Sequence, residues 1–212
     1  MDDVVYAPAI QAEIEENMVL VQQVVGHPHH IVEEALAHSN DGADAAAANT
    51  WVHKLVTEHI NTPLSGKLAC KDKCSHCCYQ AVSINSWEAR RINSFLKKTT
   101  VVVDFVPDAD YVQEADDLGI SAFLASREKF IGKACPFLDA ESRCTIYPVR
   151  PLECRLLYNI SNTSSLCTDP VGHTPAVNFG ELHNFVLAVN WGKETFADIR
   201  DFFPTVKMIK EQ

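Results

Sequence analysis

Half of the eight cysteines in this chain lie within one nine-residue window, at Cys70, Cys74, Cys77 and Cys78. Thiolates spaced two to four residues apart can converge on one soft cation, which replaces their mutual repulsion with ligand bonds. Ordinary core packing gives no reason for so tight a cluster. The spacing therefore predicts a bound metal, either zinc or an iron–sulfur cluster.

A second set of cysteines follows at Cys135, Cys144, Cys154 and Cys167. It lies in the stretch 132–175, which is rich in Cys, Pro, Ser and Thr and shows little periodicity, so we expect loops there. Loops of that length are uncommon in compact domains unless something fixes them, and metal ligands would do so. We therefore predict that sulfur from both sets binds metal and that the metal ligands are Cys70, Cys74, Cys77, Cys78, Cys135, Cys144, Cys154 and Cys167.

The net charge of the chain and its expected cellular compartment disfavour some classes of binding partner. The 212 residues include 18 basic and 28 acidic side chains, a formal net charge of -10, which repels phosphate backbones and disfavours a nucleic-acid partner. The acidic start and the lack of a long apolar segment indicate neither a secretory signal nor a membrane partner. We expect a reducing cytoplasm, where clustered cysteines bind metal rather than form disulfides. A disulfide between Cys77 and Cys78 would also be strained.

Apolar residues recur at helical spacing through the first sixty residues, which contain no cysteine. We predict a mainly α fold with irregular metal-pinned loops, a small helical domain built around the cysteine site with at most one short strand pair. Residues 1–62 would form an α-helical extension that could contact a protein partner or a second copy of the chain. Residues 63–212 would form the cysteine-cluster domain, ending in helices at 179–189 and around Phe196 to Phe202.

Four elements follow one another along the chain: the first cysteine cluster, then Cys135-Pro-Phe-Leu, Cys144-Thr-Ile-Tyr and Arg150-Pro-Leu-Glu-Cys154-Arg. In this order they resemble the CxxCxxCC (YkgJ-like) cysteine-cluster family, which is described as zinc- or iron-chelating. The resemblance spans roughly residues 68 to 168. The first gap of the cluster holds three residues in this chain, whereas the usual family pattern has two.

Basic residues flank the cysteines even though the chain is acidic. Four thiolates around Zn²⁺ leave a formal charge of about -2, and such a site needs nearby positive charge or hydrogen-bond donors. We predict that Arg150 and Arg155, which lie inside the matching motif, help to hold the metal group. Their field would also lower the thiol pKa values and favour the thiolate form.

The sequence leaves the metal and the activity open. Two zinc ions could share the eight cysteines, or one cluster, of the 4Fe–4S type if iron is present, could use three cysteines of the first set and one of the second. The resemblance also implies an alternative to a simple metal-binding protein. Similar cysteine domains occur in flagellin lysine-N-methylase proteins and in relatives labelled Fe–S oxidoreductases. The sequence identifies no catalytic residues, and the spacing of Cys70, Cys74 and Cys77, which radical-SAM enzymes share, is only weak support for an enzyme of that type.

Overall fold

The computed structural model of the chain describes residues 7–26, 33–34, 45–66, 73–99, 101–107, 128–158, 167, 177–178 and 196–208. Within these ranges the mainly helical class with irregular loops is confirmed, and no helix is both long and apolar enough to cross a bilayer. The predicted helix at 179–189 lies outside the described residues. The helices are α1 (Pro8–Val25), α2 (Ala45–Val56), a π-helical turn (Thr57–Asn61), α3 (Thr62–Leu64), α4 (Ser86–Leu96), α5 (Leu152–Leu156) and α6 (Ile199–Phe202), with 3₁₀ turns at His76–Tyr79 and Tyr147–Val149.

The described strands form three antiparallel pairs, whereas at most one pair was predicted. Each pair joins segments that are distant in sequence, except β3 and β4, so no hairpin turn marks the pairing in the sequence. The segment Phe196–Asp198 is also a strand rather than the start of a helix, because Ala197 pairs with Ile84 of another strand. The pairs are β1 (Ser83–Asn85) with β5 (Phe196–Asp198), β2 (Val101–Asp104) with β6 (Thr205–Met208), and β3 (Leu157–Tyr158) with β4 (Val177–Asn178).

Helix α4 begins with a capping box. The Asn85 side chain accepts a hydrogen bond from the Glu88 amide at 2.8 Å, and the Glu88 carboxylate accepts one from the Asn85 amide at 3.4 Å. These two bonds satisfy amides that the first helical turn leaves without partners. Ala89, Ile92 and Leu96 follow at helical spacing and are fully or almost fully buried, so α4 presents one apolar face to the core.

Two apolar clusters meet at helix α5. The first combines residues of α1, α2 and the turns after α2 with Leu152 and Leu156 of α5. The second combines α4, β1, β5 and α6 with Phe137 and Ile146, and Cys154 packs against it. Because Leu152 and Leu156 are four residues apart, they share one face of α5, and Cys154 lies on the other side. The N-terminal helices thus pack against the segment that carries Cys154, while the predicted boundary after residue 62 stays a prediction.

Candidate metal centre

The described cysteines of the first set, Cys74, Cys77 and Cys78, lie in a tight turn that precedes strand β1. Lys73 has a φ of 67°, and after it the chain enters the 3₁₀ turn, in which the Cys78 amide donates to the Ser75 carbonyl at 2.9 Å. The Gln80 amide donates to the Cys77 carbonyl at 3.1 Å. These short-range bonds fix the backbone on both sides of the adjacent Cys77 and Cys78.

The loop that begins at Cys135 contacts the turn of Cys77 and Cys78 through a backbone hydrogen bond. The Cys135 amide donates to the Cys78 carbonyl at 2.7 Å. A bridge between Leu138 and Cys144 then folds the second loop back on itself, and the Asp139 carboxylate accepts from the Arg143 amide at 2.7 Å. Cys78 and Cys135, which are more than fifty residues apart in sequence, are therefore in direct backbone contact.

Helix α5 supplies Cys154, and two acids, the buried Glu88 and the half-buried Glu153, hold the N-terminal part of that helix in place. The Glu88 carboxylate accepts from the Leu152 amide at 2.8 Å and from His53 Nε2 at 3.0 Å. Glu153 Oε2 accepts a hydrogen bond from the Ser83 amide. The cysteine pattern gave no sign of these anchors, and only the capping-box spacing of Asn85 and Glu88 could have indicated one of them.

A cavity of about 460 Å³ opens between these segments. Cys70 lies outside the described residues. Cys167 is half-buried and is not part of the cavity wall, and neither is the exposed His76. The cysteines that line the cavity are Cys74, Cys77, Cys78, Cys135, Cys144 and Cys154, all with free thiols.

The charged side chains in this wall are all basic, namely Lys73, Arg143 and Arg150. The Arg150 guanidinium lies 4.4 Å from the centre of the Tyr147 ring, and its buried Nε finds no hydrogen-bond partner in the described part of the protein. A donor left in this way suits a sulfur that carries negative charge. Arg155 instead donates to the carbonyls of Arg150 and Pro148, each at 3.1 Å, and so shapes the loop without lining the cavity.

Basic neighbours lower the thiol pKa values of Cys77 and Cys144 as expected, but other causes are larger, and the net pKa of four cysteines is raised. A hydrogen bond that the Cys77 thiol donates to Cys78, and then burial, raise the pKa of Cys77, and burial raises that of Cys135 to about 12. Burial likewise raises the pKa of Cys144, and that of Cys154 lies well above its ordinary value. Arg150 opposes the shift at Cys77 and Cys144, but the loss of solvation is larger. These thiols stay protonated at neutral pH unless a cation replaces the protons.

Four of the cysteines form an electrostatically coupled inner group, namely Cys77, Cys135, Cys144 and Cys154. A negative charge on any of the other three would raise the pKa of Cys154, and a negative charge on Cys77 would also raise the pKa of Cys144. Such coupling requires short distances between the groups. Nevertheless, among the described residues no three His, Cys, Asp or Glu side chains already converge closely enough to hold a metal ion. Shared coordination would need the loops to draw the sulfurs closer together.

The fold and the cavity define a small, mainly helical protein with a cysteine-lined cavity between loops. Residues 69–170, nearly half of the chain, match the family model CxxCxxCC, which is described as "Putative zinc- or iron-chelating domain". The resemblance found in the sequence is thereby confirmed, and it supports metal binding by this part of the chain. Neither a curated protein nor a solved structure shows significant similarity to it.

Proposed function

We propose that the chain binds zinc or an iron–sulfur cluster in the cysteine-lined cavity. The observation that carries this proposal is the meeting of sulfurs from the loops around Cys77 and Cys135 and from the helix of Cys154 at one cavity. Soft thiolate donors select zinc and iron–sulfur clusters over hard cations such as Mg²⁺. Because free thiols in this arrangement require reducing conditions, we place the protein in the cytoplasm.

Burial and mutual coupling favour Cys77, Cys135, Cys144 and Cys154 as the central ligands. Cys74 and Cys78 share the cavity wall and would complete the donor set, and Cys70 remains a ligand predicted from sequence alone. Binding would release one proton from each thiol that becomes a ligand. The unpartnered Arg150 Nε would then donate to a coordinated sulfur, which offsets part of the negative charge of the site.

Six sulfurs around one cavity exceed the four ligands of a tetrahedral zinc ion. Two arrangements satisfy this count: two metal ions that share the thiolates, or one iron–sulfur cluster, of the 4Fe–4S type, with sulfurs to spare. The number of metal atoms and of inorganic sulfide per chain distinguishes them. Protein purified without oxygen should be brown and bleached by dithionite if the iron form is native, and colourless if zinc is native.

A second candidate function is an Fe–S enzyme, either an oxidoreductase or an enzyme with protein lysine N-methylase-like activity. The size of the cavity favours it, because about 460 Å³ lies within the range of small-molecule sites and exceeds the space that one metal ion needs. The exposed Tyr147 lies at this wall together with Arg150, so the site also offers an aromatic surface and a positive charge to a substrate.

Elemental analysis of anaerobically purified protein tests metal binding, and paired serine variants test the ligands. Cys154→Ser should lose most of the bound metal, because Cys154 lines the cavity with the other three thiols of the inner group. Cys167→Ser is the matched control, since Cys167 is half-buried and lies outside the cavity wall. Wild-type protein without zinc or iron would overturn the proposed function. Equal metal loss in both variants would overturn the choice of central ligands.

A further inference from the structure

Arg200 is not part of any cysteine motif. It lies almost completely buried behind the two cysteine loops, the first of which carries Cys77 and Cys78 and the second Cys135 and Cys144. Its side chain is 9% exposed, and its Nη1 is 2.9 Å and 3.1 Å from the two carboxylate oxygens of Asp198, whose side chain is fully buried. A charge buried in this way is stable only when it is paired and hydrogen-bonded. Arg200 satisfies both conditions, although it lies on the four-residue helix α6.

The remaining donors of the guanidinium bind both cysteine loops. From the first loop, the carbonyl of Gln80 accepts from Nη2 at 3.1 Å, and that of Cys78 lies 3.5 Å from the same atom. From the second loop, the carbonyls of Lys133 and Ala134 accept from Nη2 at 2.6 Å and from Nε at 3.2 Å. One planar group therefore binds the residues that border Cys78 and those that immediately precede Cys135.

Asp198 fixes this guanidinium relative to the core. Its Oδ2 accepts from the Val82 amide at 2.8 Å, and its Oδ1 accepts from the Arg200 amide at 2.9 Å as the N-cap of α6. Asp198 also belongs to β5, which pairs with β1 directly after the first cysteine loop. The pair is thus held by strand pairing and by a helix cap before it contacts either loop.

We propose that Arg200 is a positioning residue for the metal centre and sets the separation of the two cysteine loops. The inference rests on the proposed function. Arg200 does not line the cavity, so it acts through the backbone that carries Cys78 and Cys135 rather than as a ligand. A site whose ligands come from distant loops loses affinity to the ordering of those loops, and groups that hold the loops in register beforehand reduce that cost.

The planar geometry of the guanidinium group explains why an arginine is needed at this position. Its N–H groups point in fixed in-plane directions, so it can bind a carboxylate on one edge and carbonyls on the others. A lysine would keep the charge but bring a single ammonium group to one point. Arg200→Lys therefore separates the role of the charge from the role of the geometry.

Titration with cobalt(II) under anaerobic conditions tests the proposal, because thiolate coordination of cobalt gives charge-transfer absorption in the near ultraviolet and d–d bands in the visible. We expect Arg200→Gln and Arg200→Lys each to weaken cobalt binding about 10- to 100-fold, the range measured when groups that orient metal ligands are removed. Lys129→Gln is the matched control. It removes the 3.2 Å ion pair of Lys129 with Asp201 on the same helix α6 and should keep wild-type affinity.

The outcomes separate this inference from the proposed function. If wild-type protein binds no cobalt and contains no native metal, the proposed function fails. If the wild type binds and Arg200→Lys binds equally well, the geometric role of Arg200 is refuted. Should Arg200→Gln fail to fold, Arg200→Lys decides the matter: weaker binding with unchanged far-ultraviolet circular dichroism supports the proposal. Faster hydrogen exchange at the Cys135 amide in that variant would show directly that the loops have separated.

Discussion

Replacement of Glu88 by glutamine should lower the free energy of unfolding markedly, because one buried carboxylate holds three parts of the chain together. It accepts from His53 Nε2 at 3.0 Å, from the Leu152 amide at 2.8 Å and from the Asn85 amide at 3.4 Å. These donors belong to α2, to the first residue of α5 and to the N-cap of α4. A glutamine at this position keeps the size of the side chain but removes the charge and one acceptor oxygen.

The size of the effect follows from these three bonds. The single amide oxygen of the substituted side chain could keep the two donors that now share Oε1, His53 and Leu152, but without the charge that strengthens them. Hydrogen bonds to charged groups contribute about 1.5–3 kcal/mol each and neutral ones about 0.5–1.5, so these two bonds together lose roughly 2 kcal/mol. The amide NH₂ would also face the Asn85 amide, a second donor, which brings the expected loss to about 3 kcal/mol.

Urea unfolding followed by far-ultraviolet circular dichroism, with reductant and in the presence of metal, measures this loss. Glu58→Gln is the control, because Glu58 is about half exposed and its Oε1 lies 3.9 Å from Lys54 Nζ. Exposed pairs of this kind contribute less than about 1 kcal/mol. If Glu88→Gln is as stable as Glu58→Gln to within about 0.5 kcal/mol, the carboxylate does not hold these elements together and the reasoning is wrong.

Three further predictions follow from the same contacts. Burial lowers the pKa of His53 below 6.5 despite its hydrogen bond to Glu88, whereas at Glu88 hydrogen bonds outweigh burial and lower the pKa of the carboxyl group. The free energy of unfolding should therefore be at its full value above pH 6.5 and decline as the pH falls, first as His53 gains a proton and then as Glu88 does. A flat stability profile from pH 7 to 5 would contradict this for His53. Asn85→Ala should cost about 1–2 kcal/mol of unfolding free energy, because it removes the N-cap bond of α4; a Ser replacement should recover part of it. Removal of metal with a chelator should speed hydrogen exchange in residues 133–150 more than in α1, and an equal change in both would argue against a metal in the cavity.

Most of what could be predicted about the site follows from the positions of the cysteines along the chain. The cluster from Cys70 to Cys78 is a local pattern, and thiolate chemistry alone makes it a candidate metal ligand set. The amphipathic spacing in α1, α2 and α4 is equally local, because the period of a helix is visible within two turns. The strand pairs were under-predicted, since β1 with β5 and β2 with β6 each join segments about one hundred residues apart. No local pattern reports on such a partner.

The sequence by itself determined the kind of chemistry, the helical character of the N-terminal region and the membership of the cysteines in two sets. Only the tertiary structure decided which sulfurs share a cavity, that burial raises the pKa of Cys154, and that Arg155 binds carbonyls while Arg150 lines the wall. It alone decided that Arg200 and Asp198 lie behind the loops. The physical reason is that ligand type depends on side-chain chemistry, which is written residue by residue, whereas solvation and distance depend on which remote segments pack together.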